Sequence, residues 1–197
     1  RWSSRSVDRS ARVARRIVVD LRGNAGGNFV AGLRFLSPFT CGPRPVGRLT
    51  KPKGTRGTEG TLPDDLRDQM QLDLVDRADD VRLTTFGGYG CLRAPVTVLV
   101  DSGAASTAEL VAQALRDEAK ARVWGVRTAG QLLVGVWYDV PELGPGWRLS
   151  VPEAVYETRR GARIEGEGVV SERDLYDSLR EMQNGRDAWI EAALAPE

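Results

Sequence analysis

A chain of 197 residues, 41% hydrophobic and 28% charged, is long enough to bury one sizeable core and too apolar to be disordered. Its 28 basic and 27 acidic residues leave a formal charge of +1, which excludes the general positive field of a nucleic-acid or anionic-membrane binder. Histidine is absent, the lysines are Lys51, Lys53 and Lys120, and the remaining basic residues are arginine.

The two cysteines, Cys41 and Cys91, have no CxxC spacing. Without histidine they predict no metal site, and nothing calls for a cofactor. They can pair in an oxidising compartment but do not by themselves fix one. No apolar run reaches the ~18 residues of a membrane span, and no signal-peptide pattern is present. The chain opens at Arg1 on an Arg/Ser-rich stretch without methionine, so it reads as a fragment of something longer.

In chain order, residues 5–15 suggest a short helix, and Ile17-Val18-Val19 a buried parallel strand ending at Asp20. A glycine-rich turn, 22–27, leads into a helix from Phe29. Strand, glycine turn and helix in that order predict an α/β protein. Residues 37–62 carry Pro38, Pro43, Pro45 and Pro52 with glycines at 42, 47, 54, 57 and 60, so no long regular element is expected there. Arg44, Arg48, Lys51, Lys53 and Arg56 make that stretch basic, either as a solvated surface loop or as a patch for an acidic partner. A mostly helical stretch from Pro63 to Asp80 follows.

Val96 to Val100 predicts a second buried strand, entered through Pro95. Ser106 to Glu118 predicts a helix with Leu110, Val111, Ala114 and Leu115 on one face. Val123 to Val126 predicts a third strand, and residues 132–138 and 147–156 predict paired strands around Leu143-Gly144-Pro145-Gly146. Residues 171–195 predict one or two helices. There is no internal repeat and no second domain.

Two segments can carry chemistry. In Asp20-Leu21-Arg22-Gly23-Asn24-Ala25-Gly26-Gly27, glycines free to take positive φ can point successive N–H groups at an anion. The same residues also serve as a plain strand-to-helix turn. Asp101 to Glu109 ends a strand and begins a helix, where a serine hydroxyl faces a positive helix terminus. Ser106-Thr107-Ala108-Glu109 equally fits a capping box, S-x-x-E.

These segments resemble, in order, those of the C-terminal processing (tail-specific) serine peptidases. Residues 20–27 are similar to that family's D-L-R-x-N-x-G-G, and 104–109 to its nucleophile segment S-A-S-A-S-E. Residues 114–117, 123–130, 164–170 and 185–194 resemble its A-L-Q-D, V-V-G-E-x-T-x-G, I-E-G-x-G-V-x-P and closing G-x-D-x-x-L-x-x-A-L. Ser171 stands where the family has proline.

The resemblance implies a Clp protease/crotonase-like spiral of β-β-α units spanning residues 1–197 as one peptidase core, without a PDZ domain. It implies an extracytoplasmic setting and a peptide or protein substrate. It places Ser106 as the nucleophile and the N–H groups of Thr107 and of Gly26, or its neighbour Gly27, as oxyanion donors. Asp117 falls on an acidic family position, either as a supporting residue or as an exposed helix-end carboxylate. Glu109 reads as half of the cap, and Glu167 as a surface charge or a partner for an upstream histidine.

The pattern breaks at the base. The family's lysine position, 25 residues after Ser106, is Gln131, and an amide does not relay protons near neutral pH. Tricorn-like relatives use instead a histidine from earlier in the chain, which here would precede Arg1. An inactive homologue that binds peptides or small ligands is the alternative, and an engineered lysine replacement is a third.

Overall fold

The computed structural model describes residues 13–51, 59–65, 67–177 and 183–195. Two sheets flank a helical layer. The first is wholly parallel in the order β1 (Ile17–Asp20), β5 (Val96–Val100), β6 (Arg122–Gly125), β9 (Arg173–Asp174). Every residue of β5 is buried, which is why its sequence is unbroken Val, Thr and Leu rather than alternating. The second sheet runs β3 (Glu59–Thr61), β4 (Asp80–Thr84), β2 (Pro45–Thr50), β8 (Arg148–Thr158), β7 (Leu133–Asp139). Its pairs are antiparallel except β3–β4.

Helices α1 (Phe29–Thr40) and α3 (Thr107–Ala119) pack on each other over the parallel sheet; α2 (Asp68–Arg77) and α4 (Ala188–Leu194) complete the set. Gly32 sets the α1–α3 distance. A Cβ added there would lie 2.7 Å from Thr107 Cγ2 and 3.3 Å from Val111 Cγ2. α4 covers the other face of the sheet, where Leu99, Trp124, Trp189 and Ala193 form a second buried cluster.

The strands expected at 17–20, 96–100 and 123–126, the hairpin around 143–146 and the helices from 29 and 106 are all present, with small shifts at their ends. The stretch 37–62 is more regular than its prolines and glycines suggest. α1 continues through buried Pro38 to Thr40, since a proline in the last turn costs one backbone hydrogen bond and leaves the apolar face intact. β2 begins at Pro45 on a bulge and accommodates Gly47, where a Cβ would meet Glu157 O at 2.4 Å. Two of the basic groups there are matched within the fold: Arg48 pairs with Asp80 and Glu157, and Lys51 with Glu153.

The helix expected over 63–80 is confined to 68–77, and its end becomes β4, whose alternation is only five residues long. Residues 171–195 hold the two-residue β9 before α4. Lys53, Arg56 and nearly all of the helix expected at 5–15 lie outside the described residues. Cys41, at the end of α1, and Cys91 are joined by a disulfide.

Gly32→Ala should destabilise the protein by about 1–3 kcal/mol through overpacking. Because alanine favours a helix by up to ~1 kcal/mol over glycine, a lowered urea midpoint would isolate the steric effect. An unchanged or raised midpoint would mean that α1 and α3 are not in the contact described.

Candidate active site

The glycine turn after β1 and the turn after β5 are stitched together side by side. Asp101 Oδ1 accepts the N–H groups of Gly23 (2.8 Å) and Gly103 (3.0 Å). Asn24 O accepts Ala105 N–H at 3.0 Å. Gly26, at φ +92°, lies against the second turn so closely that a Cβ would be 2.7 Å from Ser106 Cβ and 2.8 Å from Thr107 N. No residue but glycine fits that contact.

Ser106 stands between β5 and α3 with φ 55° and ψ −125°, a backbone conformation that non-glycine residues rarely adopt. Such conformations cost about 1–3 kcal/mol and persist only where neighbours enforce them. Here the neighbours are identifiable. The Ser106 N–H is shared between Gln131 O and Glu109 Oε2, both at 3.0 Å. Thr107 Oγ1 donates to Gly27 O at 2.6 Å, fixing the first residue of α3 to the glycine turn.

Glu109 is fully buried and accepts four hydrogen bonds. Besides Ser106 N–H it takes Gln131 N–H at 2.9 Å, Gly130 N–H at 2.7 Å and the Thr128 hydroxyl at 2.5 Å. Thr128 Oγ1 itself accepts Val169 N–H at 2.7 Å, so its proton is directed to Glu109. The expectation that Glu109 caps the helix is met on its carboxylate side, but its reach extends to the whole 128–131 loop. Gly130 also fits tightly, at φ +69° with Gly168 N 3.0 Å from a built Cβ.

Of the residues singled out by sequence, the structure brings together Gly26, Gly27, Ser106, Thr107, Glu109 and Gln131. Gly26 N–H is already engaged by Asn24 Oδ1 at 2.9 Å. Gln131 meets Ser106 through its backbone carbonyl, while its side chain is exposed. Asp117 is not at this site: it accepts a hydrogen bond from Gln113, 11 residues along α3 from Ser106, roughly 16 Å at 1.5 Å per residue. Lys120 caps the far end of the same helix, and Lys51 is bound to Glu153 and Asp76 O. Among the described residues, neither lysine reaches Ser106.

Sequence reasoning missed Glu165, which is half-buried and accepts Leu132 N–H on Oε2 at 2.6 Å, one residue from Gln131. Glu167, weighed earlier as a partner for an incoming base, is exposed. It also missed Asn24 and Asp101 as organisers. The only available signal for Asp101 was its place just before a glycine turn, a common Asx-turn pattern.

A cavity of about 630 Å³ opens beside Thr107, Gly26 and Gly27. Its walls are mostly apolar, with Val19 of β1, Phe35 and Phe39 of α1, Val111 of α3 and Leu92 of the loop before β5. The chain thus sets a strained serine at a helix N-terminus, packed against a glycine turn, with a pocket beside Thr107, Gly26 and Gly27.

Sequence comparison bears directly on this arrangement. A family model described as Peptidase family S41 matches residues 5–174. The chain belongs to this family of serine peptidases. The "Probable CtpA-like serine protease" of Staphylococcus aureus is 28% identical over 174 residues, covering 86% of this chain and 30% of that protein. The chain therefore spans less than a third of that relative's length.

Among solved structures, mature CPAF superposes with a TM-score of 0.69 at 16% identity, over 93% of this chain and 43% of CPAF. The tricorn protease superposes with a TM-score of 0.54 at 17% identity, over 91% of this chain and 15% of tricorn. At such identities the likeness establishes the fold alone. The expected membership of the C-terminal processing peptidases and the mixed α/β fold are both met. Among the described residues, no helix is long and apolar enough to cross a membrane.

The S41 signature Asp20-Leu21-Arg22 is tied to the chain's C-terminal segment. Arg22 pairs with Asp20 at 2.7 Å and Asp187 at 2.5 Å, and its guanidinium lies 5.3 Å from the Trp189 ring centroid. Asp187 also caps α4 by accepting Trp189 and Ile190 N–H. Hydrogen bonds from Arg22 hold both carboxyls below their ordinary range.

Removal of the Glu109 carboxylate leaves buried donors unsatisfied, so Glu109→Ala should cost about 3–5 kcal/mol. Denaturant unfolding measures this directly; a loss below ~1 kcal/mol would contradict the network. For the Arg22 cluster the sign follows from the depressed pKa values. Its stabilisation is complete above the unfolded carboxyl range, near pH ~4, and is lost as pH falls through the lower folded values. Asp187→Asn should therefore lower the urea midpoint near pH ~6 and reduce its difference between pH ~6 and pH ~3. An unaltered pH profile would show that the pair contributes nothing to acid sensitivity.

Proposed function

We propose that residues 1–197 are the catalytic core of a serine endopeptidase, with a Clp protease/crotonase-like spiral and Ser106 as nucleophile. The observation that carries this reading is the enforced backbone of Ser106 at the N-terminus of α3, backed by Gly26. A serine on a strained strand-to-helix turn presents Oγ outward, toward a bound substrate.

Ser106 Oγ attacks the scissile carbonyl carbon and passes its proton to a base. The tetrahedral intermediate collapses to an acyl-enzyme as the base protonates the leaving amine, and water then repeats the sequence to release the acid. Thr107 N–H and Gly27 N–H receive the oxyanion. Gly26, whose own N–H serves Asn24, supplies the close approach. Each such donor is worth about 3–4 kcal/mol in the transition state. The apolar cavity takes the substrate side chain next to the scissile bond.

The base comes from outside this chain, as a histidine upstream of Arg1 in the manner of a tricorn-like enzyme. Gln131, at the position of the family lysine, contributes hydrogen bonds only. Glu165 is the carboxylate best placed to orient an incoming imidazole, since it sits beside the 131–132 backbone with one oxygen engaged by Leu132. Asp117 takes no part. The disulfide, with exposed Cys41, fits an oxidising extracytoplasmic compartment.

A second reading, a peptide-binding homologue without turnover, is favoured by one observation: no histidine or lysine stands beside Ser106 among the described residues. Fluorophosphonate labelling of the full-length protein and its Ser106→Ala variant separates the two. The enzyme reading expects labelling that the variant abolishes, with hydrolysis of a peptide reduced by ~10³ or more. A folded full-length protein that takes no label would overturn it.

A further inference from the structure

The disulfide joins two segments whose neighbouring residues line the apolar cavity. Cys41 directly follows the turn of α1 that supplies Pro38 and Phe39 to the cavity wall, and Cys91 directly precedes Leu92, which also lines it. The two sides of the bridge are held very differently without it. The end of α1 has its own anchors: Ser37 Oγ accepts Phe86 N–H at 2.9 Å, and Thr40 Oγ1 lies 2.9 Å from Thr85 Oγ1. Residues 87–94 form neither helix nor strand, and Gly87, Gly88 and Gly90 occur within four positions, the last two at φ +84° and +82°.

A segment that rich in glycine loses much conformational entropy on ordering. Apart from the bridge, Leu92 is held by one backbone hydrogen bond to α1, its N–H to Pro38 O at 2.8 Å, and by its half-buried side chain against the core. Tyr89 OH reaches Asp64 at 3.1 Å farther along the loop. The disulfide, closing a span of 50 residues, therefore fixes the loop far more than the helix.

We propose that the Cys41–Cys91 bridge sets the depth of the apolar pocket: oxidised, it seats Leu92 as the end wall; reduced, it releases the 87–94 loop and admits longer apolar groups. The occupant is an apolar side chain of a peptide substrate, and in that respect the proposal rests on the functional reading above. The switch needs a dithiol as co-reactant. One thiolate attacks the sulfur of Cys41, an exposed residue, and Cys91 leaves and is protonated. The second thiol then closes on the mixed disulfide, freeing Cys41 as a thiol. Two electrons and two protons pass to the protein, and the reductant becomes a cyclic disulfide.

The test compares oxidised and dithiothreitol-treated full-length protein, with bridge opening verified by thiol titration. Amide exchange over residues 87–94 should accelerate at least tenfold on reduction while β5 and α3 remain protected. Affinity for the apolar fluorophore 1-anilinonaphthalene-8-sulfonate should change at least threefold, counting only binding lost in the cavity-blocking variant Ala31→Trp. Leu92→Ala in oxidised protein should reproduce that change and remove further response to reduction. Unchanged affinity with the bridge open would overturn the proposal, whether or not the loop exchanges faster. So would global unfolding on reduction, seen by circular dichroism, because the bridge would then hold the fold rather than one wall. The fluorophore reads binding and not turnover, so failure of Ser106 to take a fluorophosphonate would sink the peptidase reading without deciding this one.

Discussion

The buried carboxylate of Glu109 is the constraint on which the site depends. Its two oxygens gather the Ser106 and Gln131 N–H groups on one side and the Gly130 N–H and Thr128 hydroxyl on the other. A carboxylate in the interior is tolerable only when its lone pairs are filled, and here each oxygen accepts two donors. The arrangement joins three parts of the chain that are distant in sequence: the start of α3, the 128–131 loop, and through Thr128 the backbone at Val169. Ser106 can occupy its unfavourable φ because its N–H is held from two directions at once.

That network also dissolves the choice between a helix cap and a chemical site. Capping needs a side chain that returns to the N-terminal amide; a nucleophile needs an amide held rigidly so that its hydroxyl is presented in one direction. Glu109 meets both needs with the same hydrogen bond to Ser106. In the proposed mechanism local helix chemistry is therefore part of the site, and the two readings of Ser106-Thr107-Ala108-Glu109 are compatible.

How much could be read without coordinates follows from the range of the interactions. The strands of the parallel sheet were legible because burial on both faces forces an unbroken β-branched run, as in Val96 to Val100. Gly26, Ser106 and Thr107 were singled out through their family pattern, and the structure places them in contact. β2 was not, because Gly47 is required by the approach of Glu157 on a strand more than a hundred residues away, and sequence shows only a breaker. Glu165 escaped notice for a similar reason. Its partner, the Leu132 amide, is 33 residues distant, and its neighbour Glu167 presents the same side chain with no local cue to tell them apart.

The electrostatics of the site bear on the missing base. The carboxylates of Glu109, beside Ser106, and of Glu165, beside the 131–132 backbone, accept from backbone N–H groups and one hydroxyl. Two acidic groups compensated by dipoles leave a local field that favours a positive charge nearby. A neutral amide at Gln131 does nothing to cancel that field. An imidazole arriving beside Glu165 would gain as it becomes imidazolium on taking the Ser106 proton, which is the step that needs help. The same field would oppose an oxyanion, so in the proposed mechanism the donors at Thr107 and Gly27 would act at short range, on the side of Ser106 toward the glycine turn. The proposed mechanism separates those two demands, a cation on the 131–165 side and an anion on the 26–27 side, and the hydrogen bonds of Asp101 and Asn24 that join the two turns would preserve that separation.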